Sequence, residues 1–215
     1  MTDNQKGGIA LIAGAIGGLV TMAIHPTGSG ILTPAQYQRF VMLNVGAHSL
    51  AIASMPIAFL GALALTRRLQ SPDRFSPSAI VVYGFALIAG MLAATASGFI
   101  VTPLVGTAAS PANELNQALS HYTRLWNQAF ARSLSVGTSV AILLWSLAIL
   151  RNRMLSPRAA YYGIPVAILI VLFVGSGSLK LDVHGFGLVM ILQSAWFISV
   201  GTLMMRAGRP TALET

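Results

Sequence analysis

Cysteine is absent from this 215-residue chain, which excludes disulfides, thiolate metal sites and thiol nucleophiles. Acidic residues are nearly absent too. The five present, Asp3, Asp73, Glu114, Asp182 and Glu214, all lie outside the long apolar runs. Paired carboxylates for acid–base catalysis and the mid-membrane carboxylate common in ion-coupled transporters are therefore missing. Charge of either sign makes up 8% of residues, against about 25% in a soluble domain. With 55% hydrophobic residues, too little polar surface remains to cover a water-soluble globule.

What is present in abundance is apolar sequence, in six runs at approximately 8–24, 41–65, 79–101, 129–150, 159–175 and 185–205. Each approaches the ~20 residues needed to cross a bilayer. The expected fold is an all-α membrane protein, a single polytopic domain over 1–215 with six transmembrane helices and short connections. Its expected place is a cell membrane, the inner one if the cell is bacterial. Lys6 followed by the first run imitates a signal peptide, with Thr21-Met22-Ala23 as a poor cleavage site. Recurrence of this segment within the third run argues that it is retained.

The thirteen Lys and Arg residues flank the apolar runs and form no continuous stripe, so no nucleic-acid partner is expected despite the net charge of +8. Sorted by connection, nine fall on one side: Lys6, Arg67, Arg68, Arg74, Arg151, Arg153, Arg158, Arg206 and Arg209. Four fall on the other, Arg39, Arg124, Arg132 and Lys180. The positive-inside rule then predicts both termini in the cytoplasm, N-in and C-in.

Helix punctuation fits these spans. Thr33-Pro34, Ser76-Pro77, Ser110-Pro111 and Ser156-Pro157 each set a hydroxyl before a proline, predicting starts for the second to fifth helices. Thr33 and Gln36 have the spacing of a capping box. Starts at Pro34 and Pro111 lie well ahead of the apolar cores, so these two helices should project beyond the membrane or break near its surface. Pro56 should kink the second helix.

Ala10-Leu11-Ile12-Ala13-Gly14 recurs 76 residues later as Ala86-Leu87-Ile88-Ala89-Gly90. At an offset of 85, Tyr37 and Arg39 match Tyr122 and Arg124, and Ser71-Pro72 matches Ser156-Pro157. The first two helical hairpins thus read as parallel repeats, with a third, weaker copy around Gly163 and His184. Small residues four apart, Gly14 with Gly18 and Gly90 with Ala94 and Gly98, offer faces for close helix packing or for a homo-oligomer.

All four histidines, His25, His48, His121 and His184, fall on the side poor in basic residues. Asn44 and His48 are four apart, on one helical face, while Arg124, Asn127, Gln128 and Arg132 form a polar stripe descending the fourth helix. A polar stripe entering lipid must face protein or water. An outward-facing polar pocket is therefore expected between the second, fourth and sixth spans, with His25 at its rim and Arg132 level with His48.

In the plainest account these residues are interfacial anchors. In the leading functional account, Asn44, His48, Arg124, Asn127, Gln128, Arg132 and His184 bind or pass a small polar or amphipathic molecule without catalysis. In a third, His25, His48 and His184, with Asp182, hold a metal ion or haem in a redox protein, although no local His-x-x-x-His spacing supports it. A structural subunit of a larger membrane complex is a further alternative. Gly175-Ser176-Gly177-Ser178 beside His184 reads as a flexible connection rather than a serine protease, and Lys180 lies in a turn, unlike a buried retinal lysine.

Overall fold

A computed structural model describes residues 1–26, 32–69, 74–106, 110 and 112–207. It is 87% helical, with no strand among the described residues. The six helices are α1 (Asp3–Ile24), α2 (Pro34–Arg68), α3 (Phe75–Thr95), α4 (Glu114–Asn152), α5 (Pro157–Gly175) and α6 (Val183–Arg206). A π-helical turn at Ala96–Ile100 and a 3-10 turn at Thr102–Leu104 extend α3. All six helices are long and apolar enough to cross a membrane.

The helix starts obey local hydrogen-bond chemistry, in places against expectation. At α2 the capping box forms as expected: Thr33 N–H donates to Gln36 Oε1 at 2.9 Å and Gln36 N–H to Thr33 Oγ1 at 3.3 Å. A second box, between Thr2 and Gln5, starts α1 ahead of its apolar run. Ser76 is not a cap. Its buried hydroxyl donates to Thr66 O at 3.3 Å, and α3 begins before it, at Phe75. The α4 cap is Asn113, which accepts from Asn116 N–H at 2.8 Å, rather than Ser110; Pro111 lies outside the described residues. Ser156 does precede Pro157 in the first turn of α5, yet its hydroxyl makes no cap bond. Ser71-Pro72 of the repeat also lies outside the described residues.

α2 runs unbroken for 35 residues, through Pro56, and α4 for 39. At 1.5 Å per residue these are about 52 and 58 Å, so neither helix breaks and each is longer than the ~30 Å apolar core of a bilayer. The closest packing joins α1 to α2 and α3 to α4; α6 closes on α1, and α5 lies on α4. α5 and α6 touch far less, so they do not pair in the manner of the first two hairpins.

Small residues bring the backbones together inside the chain. A Cβ on Gly14 would lie 2.5 Å from Ala58 Cβ and 2.7 Å from its Cα, so only glycine allows α1 and α2 to cross this closely. Gly8 likewise meets the Gly201 backbone of α6, and Gly90 meets Met55 and Leu134. The glycine faces are thus filled by the protein's own helices.

Toward the end where α2 stops and α5 starts, the core is aromatic. Trp145 and Trp196 stack with ring centroids 6.1 Å apart, and Tyr83 and Phe197 pack edge-on or tilted around them. Each indole N–H is paired at 3.1 Å, Trp145 with Thr66 Oγ1 and Trp196 with Ala159 O, as buried indoles require. This cluster closes the bundle on that side.

Candidate functional site

At the opposite end of the bundle the structure holds a cavity of about 300 Å³. His25, His48, Asn127, Gln128 and Asp182 line it, together with apolar side chains such as Met22, Met55, Ala94, Leu134 and Phe186. Its walls come from α1, α2, α3, α4 and the entry to α6, so α1 and α3 take part beside the three spans expected. Five of the residues marked in the sequence are gathered here. The lining as a whole is more apolar than expected.

His25 and His48 touch, with ring centroids 5.0 Å apart and planes at 68°. His25 Nδ1 lies 3.1 Å from Pro26 O and His48 Nδ1 lies 2.7 Å from Asn44 O. A carbonyl oxygen only accepts, so each neutral ring carries its proton on Nδ1 and a lone pair on Nε2. Burial holds the His25 pKa below its ordinary 6.5, outweighing the bond to Pro26 O that would raise it. Asp182 caps α6 through its Oδ1, which accepts from Gly185 N–H at 2.8 Å. That bond is the main reason its carboxyl stays below the ordinary 3.8, so Asp182 remains ionised.

Asn44 stands behind the cavity and acts on the backbone. Its Nδ2 donates to Ser97 O at 2.9 Å and to Thr102 Oγ1 at 2.8 Å. In the π turn Val101 N–H reaches back to Ala96 O at 3.0 Å; in α geometry it would have bonded Ser97 O, which Asn44 takes instead. Gly98 in this turn lies against the His48 ring, where a Cβ would come within 2.7 Å of His48 Cγ. Thr102 Oγ1 closes the network on Gly98 O at 2.7 Å. Asn44 therefore positions the turn that holds His48, and is not itself part of the cavity wall.

The polar stripe of α4 divides. At 100° per residue Asn127, Ala131, Leu134 and Thr138 share one face, while Arg132 lies about a third of a turn away. Arg132 and Arg124 are exposed and line a separate surface groove with His121. At the offset of 85 Arg132 falls on Ala47, next to His48, but such an alignment speaks to depth along a helix and does not decide direction around it. His184 is exposed and absent from the cavity wall. The expected set of His25, His48, His184 and Asp182 is not assembled, and no group of three or more His, Asp or Glu among the described residues is placed to hold a metal ion. Two imidazoles in mutual contact also cannot be axial ligands on opposite faces of one haem.

A second, deeper cavity of about 110 Å³ adjoins the first, sharing Thr21, Met22, Ala51, Met55, Leu134 and Phe186 with it. α1, α2, α3, α4 and α6 all contribute to its wall, and Tyr83 and Phe197 of the aromatic cluster lie on it. Thr138, Gln193 and Ser194 are buried beside it. None of these residues belongs to the expected pocket, although Gln193 is an amide in the middle of an apolar run and could have marked the place. No known protein family, curated protein or solved structure matches this chain.

Proposed function

We propose that this protein binds a small amphipathic molecule in the two adjoining cavities, with the polar part beside His25 and His48 and the apolar part deeper in the bundle. The observation that carries this reading is the gradient along the cavities. Two imidazoles, the amides of Asn127 and Gln128 and the Asp182 carboxylate lie at one end; farther in, every lining side chain is neither acidic nor basic and most are apolar. The larger cavity matches the lower end of the ~300–1,000 Å³ range of ligand sites. The aromatic cluster behind Tyr83 and Phe197 favours binding over free passage.

In this reading the cavity opens at the outer face, both termini are cytoplasmic, and α1–α2 and α3–α4 are parallel repeats. Support comes from the excess of Lys and Arg at the other end and from the close packing within each of these two helix pairs. The ligand is a partner drawn from the bilayer or the outer aqueous side.

Ala51 lines both cavities, so Ala51→Phe should plug their junction. Mass spectrometry of organic extracts from purified parent protein should show a small amphiphile that is depleted at least tenfold in Ala51→Phe. Arg132→Gln, which faces away, should retain it. Equal extracts from parent and a well-folded Ala51→Phe protein would refute the reading.

A further inference from the structure

We infer that the deeper cavity is a binding site for a neutral, hydroxyl-bearing six-membered ring, held by Tyr83, Thr138 and Gln193. This deepens the reading above and rests on it in one respect, that ligands reach the chamber past the histidine end.

Three polar groups around the chamber have hydrogen-bonding capacity that the protein leaves unused. Thr138 is 4% exposed, and its buried hydroxyl has no partner. Its neighbours Ser133 and Ser135 donate to the carbonyls four residues back, Ala129 O at 3.1 Å and Ala131 O at 2.8 Å, so the same helix shows what a satisfied hydroxyl does there. Gln193 is 4% exposed, and its Nε2 donates to Ser135 O and Ser139 Oγ, each at 2.9 Å. Both amide hydrogens are thereby committed, and Oε1 accepts no bond from any described residue. Tyr83, 3% exposed, has a hydroxyl with no hydrogen bond to any described residue. Thr138 Oγ1 is the atom here that departs from the rule that buried polar groups are paired, and the Tyr83 hydroxyl and Gln193 Oε1 add open hydrogen-bonding capacity from α3 and α6 around the same cavity.

The chamber selects by size, charge and donor pattern. Its volume of about 110 Å³ is below the ~150 Å³ of an engineered cavity that takes benzene, so it holds at most one ring, with any substituent beyond that reaching into the adjoining cavity of about 300 Å³. No acidic or basic side chain lines it, so a charged group would be desolvated without compensation. Gln193 Oε1 can only accept, which calls for a donor on the ligand; Tyr83 and Thr138 can donate to the same ligand oxygen. A hydroxyl meets both demands. A ring carbonyl would leave Gln193 Oε1 unpaired.

The test uses 4-bromophenol as probe and bromobenzene as its hydroxyl-free counterpart, with the full chain in detergent. Trp126 is exposed and is replaced by Phe, leaving Trp145 and Trp196 as reporters; Trp145 lies 5.5 Å from the Tyr83 ring, where bromine quenches indole emission. Saturable quenching by 4-bromophenol is expected, with bromobenzene requiring at least tenfold more. Tyr83→Phe, Gln193→Leu and Thr138→Val should each raise the half-saturating concentration about fivefold, the effect of one neutral hydrogen bond. Thr138→Val removes a hydroxyl that already lacks a partner and so keeps the test open if Gln193→Leu fails to fold. Non-saturating quenching alike for both probes, as for a chamber holding only water, would overturn the inference. Loss of the Ala51-dependent amphiphile with saturable phenol quenching intact would overturn only the broader reading. The opposite pair of results would overturn only the phenol site.

Discussion

Replacing Asn44 by Leu tests the contact that joins α2 to the π turn. The substitution keeps the side chain's approximate size and removes two donated bonds, to Ser97 O at 2.9 Å and Thr102 Oγ1 at 2.8 Å. Thr102 keeps its own bond to Gly98 O, so its loss is limited to one accepted hydrogen. The Ser97 carbonyl fares worse, because Val101 N–H has already gone to Ala96 O. A lost neutral bond of about 1 kcal/mol plus a carbonyl left unpaired at about 1–2 kcal/mol gives about 2–3 kcal/mol. For a chain of this length that lowers Tm by roughly 5–10 °C. Tryptophan-fluorescence melting in detergent measures it. Asn44→Asp should lose more, since a carboxylate cannot donate to Ser97 O. A double-mutant cycle with Thr102→Val should return a coupling of about 1 kcal/mol. A Tm within about 1 °C of the parent for Asn44→Leu, together with zero coupling, would refute this role of Asn44 in holding the turn.

Two further outcomes come from the packing and from His25. Gly14→Ala places a Cβ against the backbone of Ala58, which cannot rotate away; a loss of about 3 kcal/mol or more is expected, and a Tm equal to the parent's would show that α1 and α2 do not cross this closely. Because burial holds the folded His25 pKa below 6.5, the unfolded chain takes up the proton first. Stability should therefore be level in alkali and fall as pH drops through 6.5, with a shallower slope in His25→Phe. His48 and Asp182 line the same cavity and remain in that variant; an unchanged acid slope would remove His25 as its source.

The parts of this fold legible in the sequence are those governed by spacing along the chain. Six apolar runs became six helices, and the Thr33–Gln36 box formed because both partners sit in one turn. His25 ends its run and His48 lies near the same end of the next, and the two rings do meet. What escaped depends on direction around a helix or on competition between neighbouring donors. Arg132 has the right height and the wrong azimuth. Ser76 had a better partner in Thr66 O than a helix terminus, and Asn113 took the cap expected of Ser110. The unpaired groups of Tyr83, Thr138 and Gln193 are separated by 55 residues in each interval, and only packing brings them to one cavity.

The π turn at Ala96–Ile100 also sets the angular phase of the chain beyond it. One surplus residue in a helical turn rotates the downstream backbone by about 100° relative to an uninterrupted helix. The earlier part of α3 therefore turns Tyr83 and Leu87 toward the centre of the bundle, while beyond the turn Gly98 and Thr102 meet α2. Deleting one residue here would leave the helix intact and its hydrogen bonds regular, yet swing Thr102 out of reach of Asn44. In most helices length in the last turn is a neutral variable; in this one it is the setting that decides whether Gly98 and Thr102 face His48 and Asn44 of α2.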